Sequence, residues 1–277
     1  MKSIALGQYY PVTSPIHRLD ARMKVIMAVL YIVCTFLCKN VLGFAALALS
    51  ALFLTLLAHI PLRTILRAVR PIIFIMCFTA VLNIFFVKGD HLLLGWWKLQ
   101  IFEEGLYSAA FMVVRIVVLI IGTSLFLTYT TTPIALTDAL ESLLKPLRII
   151  RVPVHEFAMM MTIALRFIPL LSEETTKIMN AQKARGVDFS HGGLIKRAKA
   201  LIPILIPLFV SAFRRAEELA TAMECRCYRG GAGRTKMTVP HLHVRDFVAL
   251  LLMVGFGAGI VCLNYAGKIY AIGYTMP

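Results

Sequence analysis

Residues 154–186, VHEFAMMMTIALRFIPLLSEETTKIMNAQKARG, carry one helical pattern that changes character halfway. From Phe157 to Leu171 the stretch is apolar, and from Ser172 to Arg185 it is polar. Continuous over its 33 residues, it would be a helix about 50 Å long at ~1.5 Å per residue, bent at Pro169. Residues 194–226 repeat the scheme, with an apolar part from Leu201 to Phe213 bent at Pro203 and Pro207, then a charged part ending at the second arginine. The two ends, Ala181-Gln182-Lys183-Ala184-Arg185-Gly186 and Ala222-Met223-Glu224-Cys225-Arg226-Cys227, align without a gap at an offset of 41 residues. Each ends in a small residue, an arginine and another small residue. A cation in a last helical turn complements the helix dipole, and Gly186 or Gly230 can cap the end, so either motif alone reads as an ordinary helix terminus. Two matched ends on successive long helices instead suggest a paired contact, in which small flanks let a partner approach the planar guanidinium fork.

The rest of the chain places these helices in a membrane protein. Of 277 residues, 59% are hydrophobic and 16% charged, and the mean hydropathy is +0.80. Soluble domains average about 45–50% apolar and about 25% charged. The net charge of +15 is then explained by basic cytoplasmic segments beside anionic lipid, and no aromatic RNA-binding motif argues for nucleic acid. Of the six cysteines, four lie in apolar runs, where a thiol is a small hydrophobe; no disulfide framework is expected. Residues 1–20 are mixed polar, unlike a cleavable signal peptide.

Outward from the long helices, residues 7–24 are polar and turn-rich. Apolar runs 25–38 and 41–60 read as a tight helical hairpin, the first reaching spanning length when counted from Arg22. Residues 61–70 place Arg63, Arg67 and Arg70 on one face of a short helix suited to headgroups. A span follows at 71–87, then the main outer connection at 88–104 with an interfacial pair, Trp96-Trp97. A span at 105–129 contains Arg115, which must face protein, water or a carboxylate. Thr130-Thr131-Thr132-Pro133 starts an amphipathic helix, and 247–265 is a last span. This gives N-terminal transmembrane helices at 1–129, a cytoplasmic helical region at 130–236 and a C-terminal transmembrane helix at 237–277. On that topology 24 of the 29 Lys and Arg lie inside, together with the N-terminus and both arginine ends.

The two half-polar helices are too amphipathic for plain spans and too apolar to stand free in cytosol. They belong at the inner interface, crossing one another. The same alignment sets Glu173-Glu174 opposite Arg214-Arg215, a possible interhelical pairing; two independently solvated faces are the alternative. Met159, Met160, Met161 and Met179 form a surface that could repack against several partners or simply pack within the membrane. No P-loop, Gly-x-Ser-x-Gly elbow or His-Glu-x-x-His pair occurs. Cys225-x-Cys227 with His241-x-His243 matches no common structural zinc spacing, and no metal site is expected.

These residues resemble the EcfT family, the transmembrane scaffolds of energy-coupling factor transporters. The likeness runs through Leu6-Gly7-Gln8-Tyr9, Ser14-Pro15-Ile16-His17-Arg18-Leu19-Asp20, Leu136-Thr137-Asp138-Ala139-Leu140-Glu141, Ala164-Leu165-Arg166-Phe167-Ile168-Pro169 and both arginine ends, continuing to Tyr228-Arg229-Gly230-Gly231. It covers nearly the whole chain and is closest to the form shared among several vitamin-binding subunits. The resemblance implies an all-α polytopic membrane fold with long cytoplasmic coupling helices. It implies that Ala184-Arg185-Gly186 and Cys225-Arg226-Cys227 dock on two ABC-type ATPase subunits, EcfA and EcfA′; Cys225 departs from the usual alanine but is still small. A separate substrate-binding S component is implied on the apolar faces, where Met159, Met160, Ile163, Phe167, Leu205, Leu208 and Phe209 are the candidates. ATP and magnesium would be bound by the partner ATPases and no cofactor by this chain, itself non-catalytic and embedded in the bilayer of a bacterial cytoplasmic membrane. The competing reading is a self-sufficient permease or secondary transporter, which needs ionisable residues lining a midplane path; Arg115 alone clearly qualifies.

Overall fold

The computed structural model describes residues 9–86, 92–96, 99–189, 193–231 and 242–270. The helices are α1 (Ala21–Leu37), α2 (Val41–Leu57), α3 (Leu62–Val69), α4 (Ile73–Phe86), α5 (Glu103–Thr123), α6 (Pro133–Leu144), α7 (Val154–Ala184), α8 (Leu194–Cys225) and α9 (Val244–Tyr270). The protein is thus an all-helical polytopic membrane protein apart from one antiparallel hairpin, β1 (Leu92–Trp96) with β2 (Leu99–Phe102), in the connection that the sequence left without structure. A one-residue bulge falls between Leu92 and Leu94. Of the tryptophan pair there, Trp97 and the side chain of Trp96 lie outside the described residues. Among the described residues, four helical stretches are long and apolar enough to cross a membrane: Arg63–Phe86, Glu103–Tyr129, Val154–Ala184 and Val244–Tyr265; Val41–Leu57 is a shorter apolar helix. The chain divides into one compact unit drawn from Gly7–Ala139 and Val239–Pro277 and another drawn from Leu140–Thr238.

In the first unit, α1 and α9 are parallel and tied at both ends. Asp20 caps α1, its Oδ1 accepting from the Arg22 amide at 2.9 Å. The amide of Asp20 in turn donates to Asp246 Oδ1 at 3.0 Å, and Asp246 Oδ2 accepts from the His243 amide at 2.8 Å. At the far end Asn264 Nδ2 donates to Leu37 O at 2.7 Å, and Asn40 Nδ2 to Leu263 O at 2.9 Å. α5 runs the other way: Arg115 reaches Cys38 at the end of α1, and Lys24, near its start, donates to Thr130 O at 2.7 Å. The end of α5, the start of α9 and the N-terminal segment therefore share one face of this unit. The expected tight hairpin of α1 and α2 does not form. Each packs instead on α5 and α9, and Tyr31 Oη, which donates to Leu47 O at 3.3 Å, is a point of contact between them. The reason is Tyr31 itself. It is fully buried, and Gly122 on α5 lies flat against its ring where any Cβ would overlap, so α5 takes the place beside α1.

Arg115 faces protein, as a cation in a span must. Its Nη2 donates to Cys38 O at 3.2 Å, and its guanidinium carbon lies 5.2 Å from the centre of the Phe44 ring. Ile65 and Val69 of α3 are buried while Arg63, Arg67 and Arg70 are exposed, the amphipathic split expected of it. No residue of α4 is buried, and its Phe74 is 81% exposed, which in an apolar helix is a lipid-facing surface. α5 ends in a π-helical turn, Ser124–Tyr129, closed by Thr130 and Thr131 hydroxyls donating to Phe126 O at 3.0 and 2.8 Å. Thr132 then caps α6 through the Ala135 amide at 3.3 Å, with Pro133 as its first residue.

Candidate functional site

In the second unit, α7 and α8 are unbroken helices of 31 and 32 residues that continue through Pro169 and through Pro203 and Pro207. Both arginine ends prove to be the same capping structure. At the first, the Val187 amide donates to Gln182 O at 3.1 Å and the Gly186 amide to Lys183 O at 3.0 Å, with Gly186 at φ +88°. At the second, the Tyr228 amide donates to Met223 O at 3.0 Å and the Cys227 amide to Glu224 O at 2.8 Å, with Cys227 at φ +56°. Each is a Schellman cap with the arginine as the C-cap residue, one past the helix, and the third motif residue in the left-handed region. Neither cap uses Gly230, which was one of the two glycines expected to end the helices. Gly230 has φ +85° but lies beyond the second cap, because the gap-free alignment already assigns that role to Cys227. Ala184, Arg185, Gly186, Cys225, Arg226 and Cys227 are all exposed.

The helices are tied together by charge. Arg215 Nη2 donates to Glu174 Oε2 at 3.0 Å, the pairing suggested by the repeat. Ser211 was missed. Its hydroxyl donates to Glu174 Oε1 at 2.6 Å and lies 3.5 Å from Arg215 Nε. Its signal was spacing, one turn before an arginine already assigned a carboxylate. Glu173 and Arg214 are exposed. Beyond Cys227 the chain returns to the start of α7. Gly231 lies against the ring of His155, where a Cβ would overlap it, and His155 Nδ1 donates to Glu141 Oε1 at 3.0 Å. Glu174 and Arg215 thus join the polar halves of α7 and α8, and the chain beyond α8 returns to the first turn of α7.

The apolar halves stay open. Val154, Ala158 and Ile204 are buried, whereas Met160, Leu205 and Phe209 are exposed and Met159, Ile163, Phe167 and Leu208 partly so. Phe209 stacks along its own helix on Phe213, ring centres 6.3 Å apart. Among the described residues no group of three or more His, Cys, Asp or Glu could hold a metal; His241 lies outside them.

The N-terminal segment holds a half-buried histidine, His17. Tyr10 O can only accept, so His17 Nε2 carries the proton at 3.0 Å, leaving Nδ1 to accept from Ser14 Oγ at 2.7 Å. Burial, reinforced by the nearby Lys24 cation, pushes the His17 pKa below its ordinary value.

Residues 12–237 match the family described as cobalt transport protein, CbiQ. The chain is 50% identical over 271 residues to an energy-coupling factor transporter transmembrane protein EcfT of Clostridium kluyveri, covering 98% of each chain. It is 50% identical over 251 residues to an EcfT of Thermosediminibacter oceani, covering 91% of this chain and 94% of that one. With an EcfT of Lacticaseibacillus paracasei it shares 49% over 258 residues, 92% of this chain and 97% of the relative. With its long apolar helices and its two matched arginine-tipped helices, the chain belongs to the EcfT family, the transmembrane proteins of energy-coupling factor transporters.

Proposed function

We propose that this chain is the scaffold through which two ABC-type ATPase subunits, EcfA and EcfA′, drive a separate substrate-binding membrane subunit, with Arg185 and Arg226 as the two ATPase contacts. The observation that carries this reading is the pair of exposed arginine tips with one cap geometry on two helices. Each cap satisfies the terminal carbonyls within the helix, which leaves the guanidinium fork free for a partner's carboxylates or carbonyls. ATP and magnesium belong to the ATPases. The carried micronutrient, a vitamin or a metal, belongs to the S component, which would seat on the open apolar halves around Met159, Met160, Ile163, Phe167, Leu205, Leu208 and Phe209. The shared face of the N-terminal segment, the end of α5 and the start of α9, together with the bias of Lys and Arg, supports an inside N-terminus in a bacterial cytoplasmic membrane. The permease reading rested on Arg115, and that cation is engaged by the end of α1 and Phe44.

The test is co-purification with a candidate ATPase pair in detergent. Wild type is expected to hold both ATPases, and the Arg185→Ala/Arg226→Ala variant to lose them or their nucleotide-dependent coupling. An undiminished complex and normal uptake in the double variant would overturn the assignment.

A further inference from the structure

We infer that the open face of α3, with the start of α4, holds an anionic phospholipid, its phosphate and acidic headgroup on Arg63, Arg67 and Arg70 and its acyl chains against α4. The site is independent of how the arginine tips of α7 and α8 dock.

α3 is fixed on one side and free on the other. Ile65 and Val69 are buried, and Tyr129 Oη, at the end of α5, donates to Thr64 O at 3.2 Å. Positions 63, 67 and 70 fall on one helical face, away from Ile65 and Val69, and all three arginines are exposed there with Leu66 among them. The Tyr129 contact sets α3 beside the end of α5, on the face shared with the N-terminal segment and the start of α9. The three cations therefore stand together at one membrane surface.

Nothing within the protein answers their charge. The sequence has no Asp or Glu between Asp20 and Asp90, and among the described residues no carboxylate forms a salt bridge with any of the three. Three like charges along about 10 Å of helix, at ~1.5 Å per residue, repel one another, and an anion held between them removes that repulsion. The neighbouring surface selects a lipid as that anion. α3 continues through Arg70–Ile72 into α4, no residue of α4 is buried, and Phe74, one turn past Arg70, stands open. A headgroup on the arginines thus has its chains beside an apolar wall. A zwitterionic lipid would bring its own cation to the three arginines, whereas an anionic one brings only oxygens that guanidinium forks can take in pairs.

The experiment places one tryptophan at the site in the full chain, as Phe74→Trp with Trp96→Phe and Trp97→Phe, since these are the two native tryptophans. The protein is reconstituted in vesicles of phosphatidylglycerol and phosphatidylcholine, one or the other brominated, and quenching gives the relative binding of the two lipids at position 74. We expect a preference for phosphatidylglycerol of at least about fivefold at low salt, falling as salt rises. Arg63→Gln/Arg67→Gln/Arg70→Gln should bring the ratio to about one, while Arg63→Lys/Arg67→Lys/Arg70→Lys should keep most of it. A second reporter, Leu252→Trp on the exposed side of α9, should give the same ratio with and without the three arginines. An undiminished preference in the Gln variant overturns the site, and so does its loss in the Lys variant, which would mark a packing defect. An equal fall at Leu252→Trp overturns it as well, because only general surface charge would then be at work. Loss of the preference once ATPases and S component are bound would give the face to a protein subunit and overturn the lipid assignment.

Discussion

The end of α7 and the end of α8 reach the same backbone with different residues. Gly186 adopts φ +88° without a steric penalty, while Cys227 holds φ +56° against the clash of its Cβ with the backbone. What the two ends share is therefore the cap and the arginine it presents, and glycine is only the easier way to build it. They differ again beyond the cap. The second end is followed by Gly231 seated on His155, at the foot of α7, which returns the chain after Arg226 to the same unit.

The largest expected effect tests whether the arginines are equivalent. Arg185→Lys and Arg226→Lys should each lower ATP-driven uptake by about tenfold or more, because an ammonium keeps the charge but not the planar fork. Uptake assays in proteoliposomes containing the ATPases and S component would show it; a tolerated lysine at one end would make that contact one of charge alone.

Next come the caps. Gly186→Cys makes the first end resemble the second and should destabilise its cap by about 1 kcal/mol; Cys227→Gly should stabilise the second by a similar amount. Amide exchange at residues 186–187 and 227–228 reads each cap directly. If Cys227→Gly leaves exchange unchanged, the thiol makes a compensating contact and the two ends are not simple equivalents.

A smaller effect is expected at the return segment. Gly231→Ala must displace the His155 ring, so exchange should quicken at 228–230 while residues 186–187 keep wild-type protection. Equal changes at both ends would mean that the caps are coupled through the helices.

The smallest effect supplies a control away from both ends. His17 has a lowered folded pKa, so its contribution to stability is complete above its unfolded value of about 6.5 and is lost as pH falls through that value towards the folded one. The melting temperature between pH 7.5 and 5.5 should fall slightly more in wild type than in His17→Gln, with docking of the always-charged arginines unaffected.

Much of the second unit was legible because its information is local and repeated. The half-and-half periodicity marked α7 and α8, and the 41-residue offset that aligned the arginine ends also aligned Glu174 with Arg215, which do pair. The same alignment matched Cys227 to Gly186, but the expectation that glycine caps a helix drew attention to Gly230. A sulfhydryl residue in the left-handed region has no propensity signal, and only the hydrogen bonds of the cap reveal it. In the first unit the long apolar helices at 71–87, 105–129 and 247–265 and the exposed arginine face of α3 followed from hydropathy, whereas α1, expected to reach spanning length from Arg22, is not among the helices long and apolar enough to cross. The clasp of Asp246 on Asp20 and of Asn264 on Leu37 did not, since residues more than 220 positions apart leave no periodic trace.

By itself the amino-acid sequence determined that the chain is helical and membrane-embedded, where its helices begin and turn polar, and which two arginines stand at matched ends. Those are consequences of side-chain periodicity, charge and capping chemistry, which act within a few turns. The tertiary structure decided which helices touch: that α5 rather than α2 lies along α1, that α9 closes parallel to α1, and that Ser211 completes the junction of α7 and α8. The physical reason is that partner choice depends on close packing and on buried polar groups finding one another across the chain. Gly122 against Tyr31 and Asn264 against Leu37 are complementary only in three dimensions.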